Sequence, residues 1–290
     1  MGRQEDAGDR VARENNLFGL EAPNRSCLQL EKAMTHSINP LIDSIRDADF
    51  PTVEQLRRGI VLCCITASFW LAVHEPVFYM FWDDDTYFED EIQGEHWAVA
   101  FTEGGAVAVF YSSESARNPF PDGSPPYDQA QYFKGMPRRL NPAKERALSL
   151  MLDMDYQTGN PSGAAITAAM WADGERFTAA EPWSDVYDNS LWACHTHLLP
   201  PEVALREWWG GMGLPGAGER IAWSLYMRRL ASTDAMIEVE PWEWQSFVEA
   251  AGQQPEPAKL TAAQGLLASV GIVLQPPPDV GKGRKSKGTS

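Results

Sequence analysis

Cysteine is scarce in this chain: Cys27, Cys63, Cys64 and Cys194 are the four among 290 residues. Two are adjacent and none forms a Cys-x-x-Cys pair, so the spacing writes neither a disulfide framework nor a cysteine-paired zinc module. Positive charge is short as well. The 24 Lys and Arg face 40 Asp and Glu, a formal net charge of −16. A body of that sign repels nucleic-acid phosphates and anionic membrane surfaces, and attracts cationic proteins and metal ions. Long hydrophobic runs are also lacking. The most apolar one, Gly59 to Val73, has 15 residues, too few to span a bilayer comfortably. The stretch Met1 to Asn16 is polar and charged, without the apolar centre of a signal peptide. A reduced, cytoplasmic setting with no nucleic-acid or membrane partner is the expectation.

Signatures of familiar chemistry are equally thin. Gly-x-Ser-x-Gly does not occur, and the cluster Ser112, Ser113 and Ser115 has no His in a pattern that would activate it. The Gly-rich stretch Gly210 to Gly218 ends in Gly218-Glu219-Arg220, where a P-loop needs Gly-Lys-Ser/Thr; a carboxylate there opposes phosphate. The Asp-x-Asp spacing in Asp83-Asp84-Asp85 is a metal-nucleotide pattern in glycosyltransferases, but a tripeptide carries no argument alone.

What is present is apolar, aromatic and acidic. Hydrophobic residues make up 44% of the chain and Trp occurs 11 times, enough for a proper core with some Trp left for interfaces. Residues 1–16 read as a flexible leader, 17–275 as a single globular domain, and 276–290 as a disordered tail made basic by Lys282, Arg284, Lys285 and Lys287. Pro51 and the capping box Thr52-Val53-Glu54-Gln55 open a helix running to about Val73 that is apolar nearly all round, the mark of a buried central helix. His96–Thr102 and Ala106–Ser112 flank Glu103-Gly104-Gly105, and a second hairpin turns at Ala172-Asp173-Gly174. Ser190–Leu198 reads as a further strand. Helices are expected at about 142–154, 201–209, 217–231, 241–251 and 260–269. The order predicts an α+β fold: one domain with a mostly antiparallel central sheet of β-hairpins flanked by helices.

Phe81-Trp82-Asp83-Asp84-Asp85-Thr86-Tyr87-Phe88-Glu89-Asp90-Glu91 combines six carboxylates with four aromatics. Adjacent carboxylates repel and large aromatics favour burial, so stability alone does not account for it. The expectation is a loop leaving a strand at Trp82 and entering the next near His96. Two further segments share the theme, Glu181-Pro182-Trp183-Ser184-Asp185-Val186-Tyr187-Asp188 and Glu238-Val239-Glu240-Pro241-Trp242-Glu243-Trp244. Carboxylates steer a basic partner and aromatic rings hold it. The candidate binding set is therefore Trp82, Asp83, Asp84, Asp85, Tyr87, Glu89, Asp90, Glu91, Trp183, Asp185, Tyr187, Trp242 and Trp244.

Cys194-His195-Thr196-His197 is the sharpest local pattern. On a strand, His195 and His197 share a face and could ligate one zinc ion, with His96, Asp185 or Asp188 as a third ligand. The pair resembles the His-x-His of JAMM metalloproteases and of the metallo-β-lactamase fold. It departs from the first where Leu198 replaces Pro, and from the second where Leu199 and Pro200 replace Asp and His.

Acidity, a sufficient core and the lack of a catalytic motif resemble, in type, bacterial immunity proteins, which neutralise a toxin by covering it. The resemblance implies a non-enzymatic protein-binding module for a basic toxin or effector, acting by occlusion and needing no cofactor. A metal-dependent hydrolase using His195 and His197, and an accessory subunit of a larger assembly, are the alternatives.

Overall fold

The computed structural model describes residues 45–46, 48–74, 79–90, 94–118, 128–152, 164–190, 194–232, 235–252 and 254–275. The expected leader, the basic tail and Glu91 lie outside the described residues.

Helix α1 (Val53–Val73) starts where its capping signal predicts, with Thr52 Oγ1 accepting from the Gln55 N–H at 3.0 Å. The Gln55 side chain does not complete the box. Its Nε2 donates instead to the Leu198 carbonyl at 2.9 Å, tying the helix start to a distant segment. Between Gly59 and Val73 every residue except Val61 and Leu71 is buried. The hydroxyls of Thr66 and Ser68 donate to the carbonyls of Leu62 and Cys64, so these polar groups stay satisfied inside the core. With 21 residues, α1 is longer than the apolar run suggested and could cross a bilayer by length and composition, yet 78% of its most apolar window is buried in the fold.

The main sheet is a meander. Strands β1 (Tyr79–Asp83), β2 (Thr86–Asp90), β3 (Glu95–Thr102), β4 (Gly105–Ser112), β5 (Ala168–Asp173) and β6 (Phe177–Thr178) lie side by side in chain order, all antiparallel. Gly104 and Gly174 sit at the two predicted hairpin turns with φ of 80° and 118°, which a side chain would strain. Register sorts the residues into two faces. The row Phe88, Ala98, Val109 and Ala169 packs against Leu140 and against Ala143, Ala147 and Met151 of α2 (Asn141–Leu152). The opposite rows, Tyr87–Val99–Ala108–Met170 and Glu89–Trp97–Phe110–Ala168, face α1, whose Arg57 lies 4.5 Å over the Phe101 ring. Both faces of β3 to β5 are covered, so these strands show continuous burial rather than alternation.

The second half is helical: α3 (Trp183–Ser190), α4 (His195–Leu198), α5 (Pro201–Gly211), α6 (Gly216–Ala231), α7 (Pro241–Ala251) and α8 (Pro257–Ser269). Helix α1 packs against α4, α5, α6 and α8 and forms the hub of this layer. A parallel pair, β7 (Ile237–Val239) and β8 (Ile272–Leu274), escapes the sequence reading because three-residue strands carry no usable period. The fold is α+β, with a mostly antiparallel sheet between helices.

The strand expected over Ser190–Leu198 is absent from its described part. Residues 195–198 form a helical turn, in which the His197 N–H donates to Cys194 O at 3.0 Å. The tight seat against α1 overrides the local strand preference.

Candidate functional site

Phe81–Asp90 is a hairpin rather than a loop. Thr86, Tyr87 and Phe88 are strong strand formers, and Asp84 adopts the left-handed φ of 49° that Asp tolerates better than most residues. The acidic run is thereby cut in two. Asp83, Asp84 and Asp85 form an exposed tip, while the residues after them turn inward. Thr86, Tyr87, Phe88 and Asp90 are buried and Glu89 is nearly so. Tyr87, Glu89 and Asp90 thus leave the surface set to which the sequence assigned them. Trp82 is half-buried, its ring 5.4 Å from Tyr87 and 5.9 Å from Phe101.

On the other face of β1, Tyr79 (62% exposed) and Phe81 (42%) stand open to solvent, side by side on the outermost strand. Phe81 opens the acidic-aromatic stretch singled out in the sequence, whereas Tyr79 lies before it; position on an edge strand is not legible in the aromatic run itself.

The second and third acidic-aromatic segments are mostly architecture. Trp183 and Tyr187 are buried in α3, and Trp183 Nε1 donates to Ile45 O at 2.8 Å. Asp185 is exposed in the first turn of α3. In the third segment Glu240 and Glu243 form a reciprocal capping box at the start of α7, with Arg228 3.2 Å from the buried Glu243 carboxylate. Trp244 is buried against Phe69 and Phe247, whereas Trp242 is 64% exposed.

A pair of ligands on one strand is not what His195 and His197 form. Two residues apart on a helical turn, they are separated by about 200° around the axis. His195 is half-buried, its Nε2 3.2 Å from Thr196 Oγ1. His197 is buried and points into the core. None of the expected third ligands joins them. Asp188 is 2.6 Å from Arg46, Asp185 faces solvent, and His96 stacks on Tyr111 with centroids 4.6 Å apart. Burial pushes the His96 imidazole down to about 4, keeping it neutral.

His197 instead meets two residues that sequence reasoning put elsewhere. A His197 ring nitrogen, the Cys63 Sγ of α1 and a Glu89 carboxylate oxygen of β2 all lie within 4.8 Å of one another. His197 Nε2 stands 3.1 Å from Glu89 Oε2, close enough for an ion pair. The alignment is not that of a hydrogen bond, and both ring nitrogens are buried without a hydrogen-bond partner. Trp97, Trp208 and Tyr87 present themselves edge-on around the imidazole at 5.1, 5.0 and 6.4 Å. The Tyr87 hydroxyl donates to Glu89 Oε2 at 2.8 Å and fixes the carboxylate. Burial first, then the Glu89 charge, pushes the Cys63 thiol up; a hydrogen bond with Tyr87 acts in the other direction. Cys194 and Cys64 are held up by burial in the same way. Buried protonated thiols of this kind are poor nucleophiles. Two surface clefts, one lined by Phe50, Gln55, Trp183 and Leu198 and the other by Thr52, Arg57, Gly105 and Glu175, include none of the three clustered residues.

Gly211-Met212-Gly213-Leu214-Pro215-Gly216 does have Gly-x-Gly-x-x-Gly spacing. It connects helix α5 to helix α6 instead of following a strand, so the dinucleotide-binding context is missing. Comparison with known proteins finds no family model, no curated relative and no solved structure that matches the chain.

Proposed function

We propose that this chain is a non-enzymatic protein-binding module that receives a cationic protein on the β1–β2 hairpin. The observation that carries the reading is the pairing of two features on one element. Three exposed carboxylates, Asp83 to Asp85, crown the tip, and two exposed aromatics, Tyr79 and Phe81, occupy the outermost strand below it. The carboxylates, in a chain of net charge −16, speed encounter with a basic partner. The rings bury area on contact and accept Arg or Lys over their faces. Among the described residues no strand pairs with the outer side of β1, and such an edge adds backbone donors and acceptors that a partner strand can pair.

An immunity-type role, in which the basic partner is a toxin or effector neutralised by occlusion, is the specific form we propose. The test is capture of partners from the native lysate, then kinetics with the captured protein. Wild type should retain a basic protein whose association slows with salt. Asp83→Asn/Asp84→Asn/Asp85→Asn should slow association and flatten that salt dependence, and Phe81→Ala should speed dissociation. Association unchanged by the triple substitution would count decisively against the hairpin as the docking element.

A further inference from the structure

We propose that Cys63, Glu89 and His197 bind one zinc ion, which clamps α1, β2 and α4 together beneath the acidic hairpin. Two independent observations point there. The first is convergence: one thiol, one carboxylate and one imidazole from three separate elements lie within 4.8 Å of one another. Zinc bonds of 2.0–2.3 Å in tetrahedral array set ligand atoms about 3.5 Å apart, and the 3.1 Å between His197 Nε2 and Glu89 Oε2 is already near that spacing. The second is an unmet need. The His197 side chain is 1% exposed, and neither of its nitrogens has a hydrogen-bond partner. A buried imidazole in that condition loses the hydrogen bonds it had in water and regains none. A metal ion between it and Glu89 satisfies one nitrogen directly.

Charge selects the same occupant. A thiolate, a carboxylate and a neutral imidazole neutralise one dication, so the filled site carries no net charge into the core. On binding, the Cys63 S–H bond breaks, its proton passes to solvent, and a Zn–S bond forms. Sulfur and nitrogen donors favour zinc over magnesium or calcium. The outer shell is partly in place, since the Tyr87 hydroxyl already orients the Glu89 carboxylate. A water completes the fourth position. Set apart from both surface clefts, the ion acts as a structural clamp.

The test uses the full-length chain purified without a polyhistidine tag. Metal analysis should find about one zinc per chain. Chelator-stripped protein titrated with cobalt(II) should develop a near-ultraviolet thiolate-to-metal band that saturates at one equivalent. Cys63→Ser should abolish the band and weaken zinc binding about a hundredfold or more, Tyr87→Phe should weaken it about ten- to a hundredfold, and His195→Ala should leave both unchanged. Stripped protein that takes up no cobalt, or a band that survives Cys63→Ser, overturns the proposal. Should Cys63→Ser fail to fold, Glu89→Gln carries the same reading: a comparable loss of affinity supports the site, and unchanged affinity overturns it.

Discussion

Gly59 of α1 is pressed against the backbone of His197: a Cβ built on Gly59 would stand 2.0 Å from the His197 carbonyl oxygen. Carbon and oxygen cannot approach so closely, and a backbone carbonyl cannot rotate away as a side chain would. Gly59 is thus what lets α4 lie directly on α1 and puts the His197 ring beside Cys63 and Glu89. Gly59→Ala gains about 1 kcal/mol of helix propensity but forces the two elements apart, a cost of about 3 kcal/mol or more. A net loss of about 2 kcal/mol is expected, measured as a lower urea midpoint at unchanged slope.

The same contact shows where sequence reasoning stops. The helix over Val53–Val73, the hairpin at Glu103-Gly104 and the start of α7 at Pro241 each rest on a local signal: a cap, a turn pair, a Pro at the first helical position. All three are found. The sequence places Glu89 among five other carboxylates, the pattern of a solvated segment. Its inward direction depends on strand β2 existing and on Tyr87 and Glu89 sharing one face of it. In the sequence Cys63 is one residue of an apolar helix and His197 is half of a pair with His195. Nothing within four residues of either announces the other, since the chain between them spans the whole sheet. The run of strand formers Thr86-Tyr87-Phe88 is the local signal for β2, and the acidity of the segment masks it.

Asp84 holds the left-handed conformation at the hairpin tip, with φ of 49°. Asn tolerates this region as Asp does, whereas Ala pays about 1 kcal/mol for it. Asp84→Ala should therefore destabilise the chain by about that amount, and Asp84→Asn should be neutral or slightly stabilising, because it also relieves repulsion from Asp83 and Asp85. Chemical denaturation of the two variants separates backbone conformation from charge.

The pH dependence should have two limbs in metal-free protein. His96 is neutral in the fold down to about 4, against 6.5 in the unfolded chain. Between those values the unfolded state binds the extra proton, so His96 contributes stability that is complete above pH 6.5 and lost as pH falls towards 4, up to about 3 kcal/mol. Asp90 on β2 and Tyr111 on β4 are its cross-strand neighbours. His96→Gln should flatten this acid limb. The alkaline limb has the opposite sign. Cys64 and Cys194 are held protonated by burial, above their ordinary value of 9.0. Their contribution is present below pH 9 and fades above it, as the unfolded thiols ionise first. Thermal melts across pH 4 to 10 should show a plateau between the two limbs.

Trp242 and Trp244 lie two positions apart in one acidic segment and separate surface from core. Trp244 stacks on Phe69 with centroids 6.1 Å apart, is 5.6 Å from Phe247, and supports the packing of α7 on α1. Trp244→Ala should cost about 3–5 kcal/mol, the usual range for a buried Trp. Trp242 is exposed, so Trp242→Ala should stay within about 0.5 kcal/mol of wild type. An exposed indole beside Glu238 and Glu240 joins aromatic area to negative charge, which makes Trp242 a second candidate contact for the basic partner. Trp242→Ala should therefore weaken partner binding while leaving the melting temperature in place. If binding is also unchanged, the docking surface is confined to the β1–β2 hairpin, and the recurrence of Trp among carboxylates near α7 reflects helix capping by Glu240 and Glu243 alone.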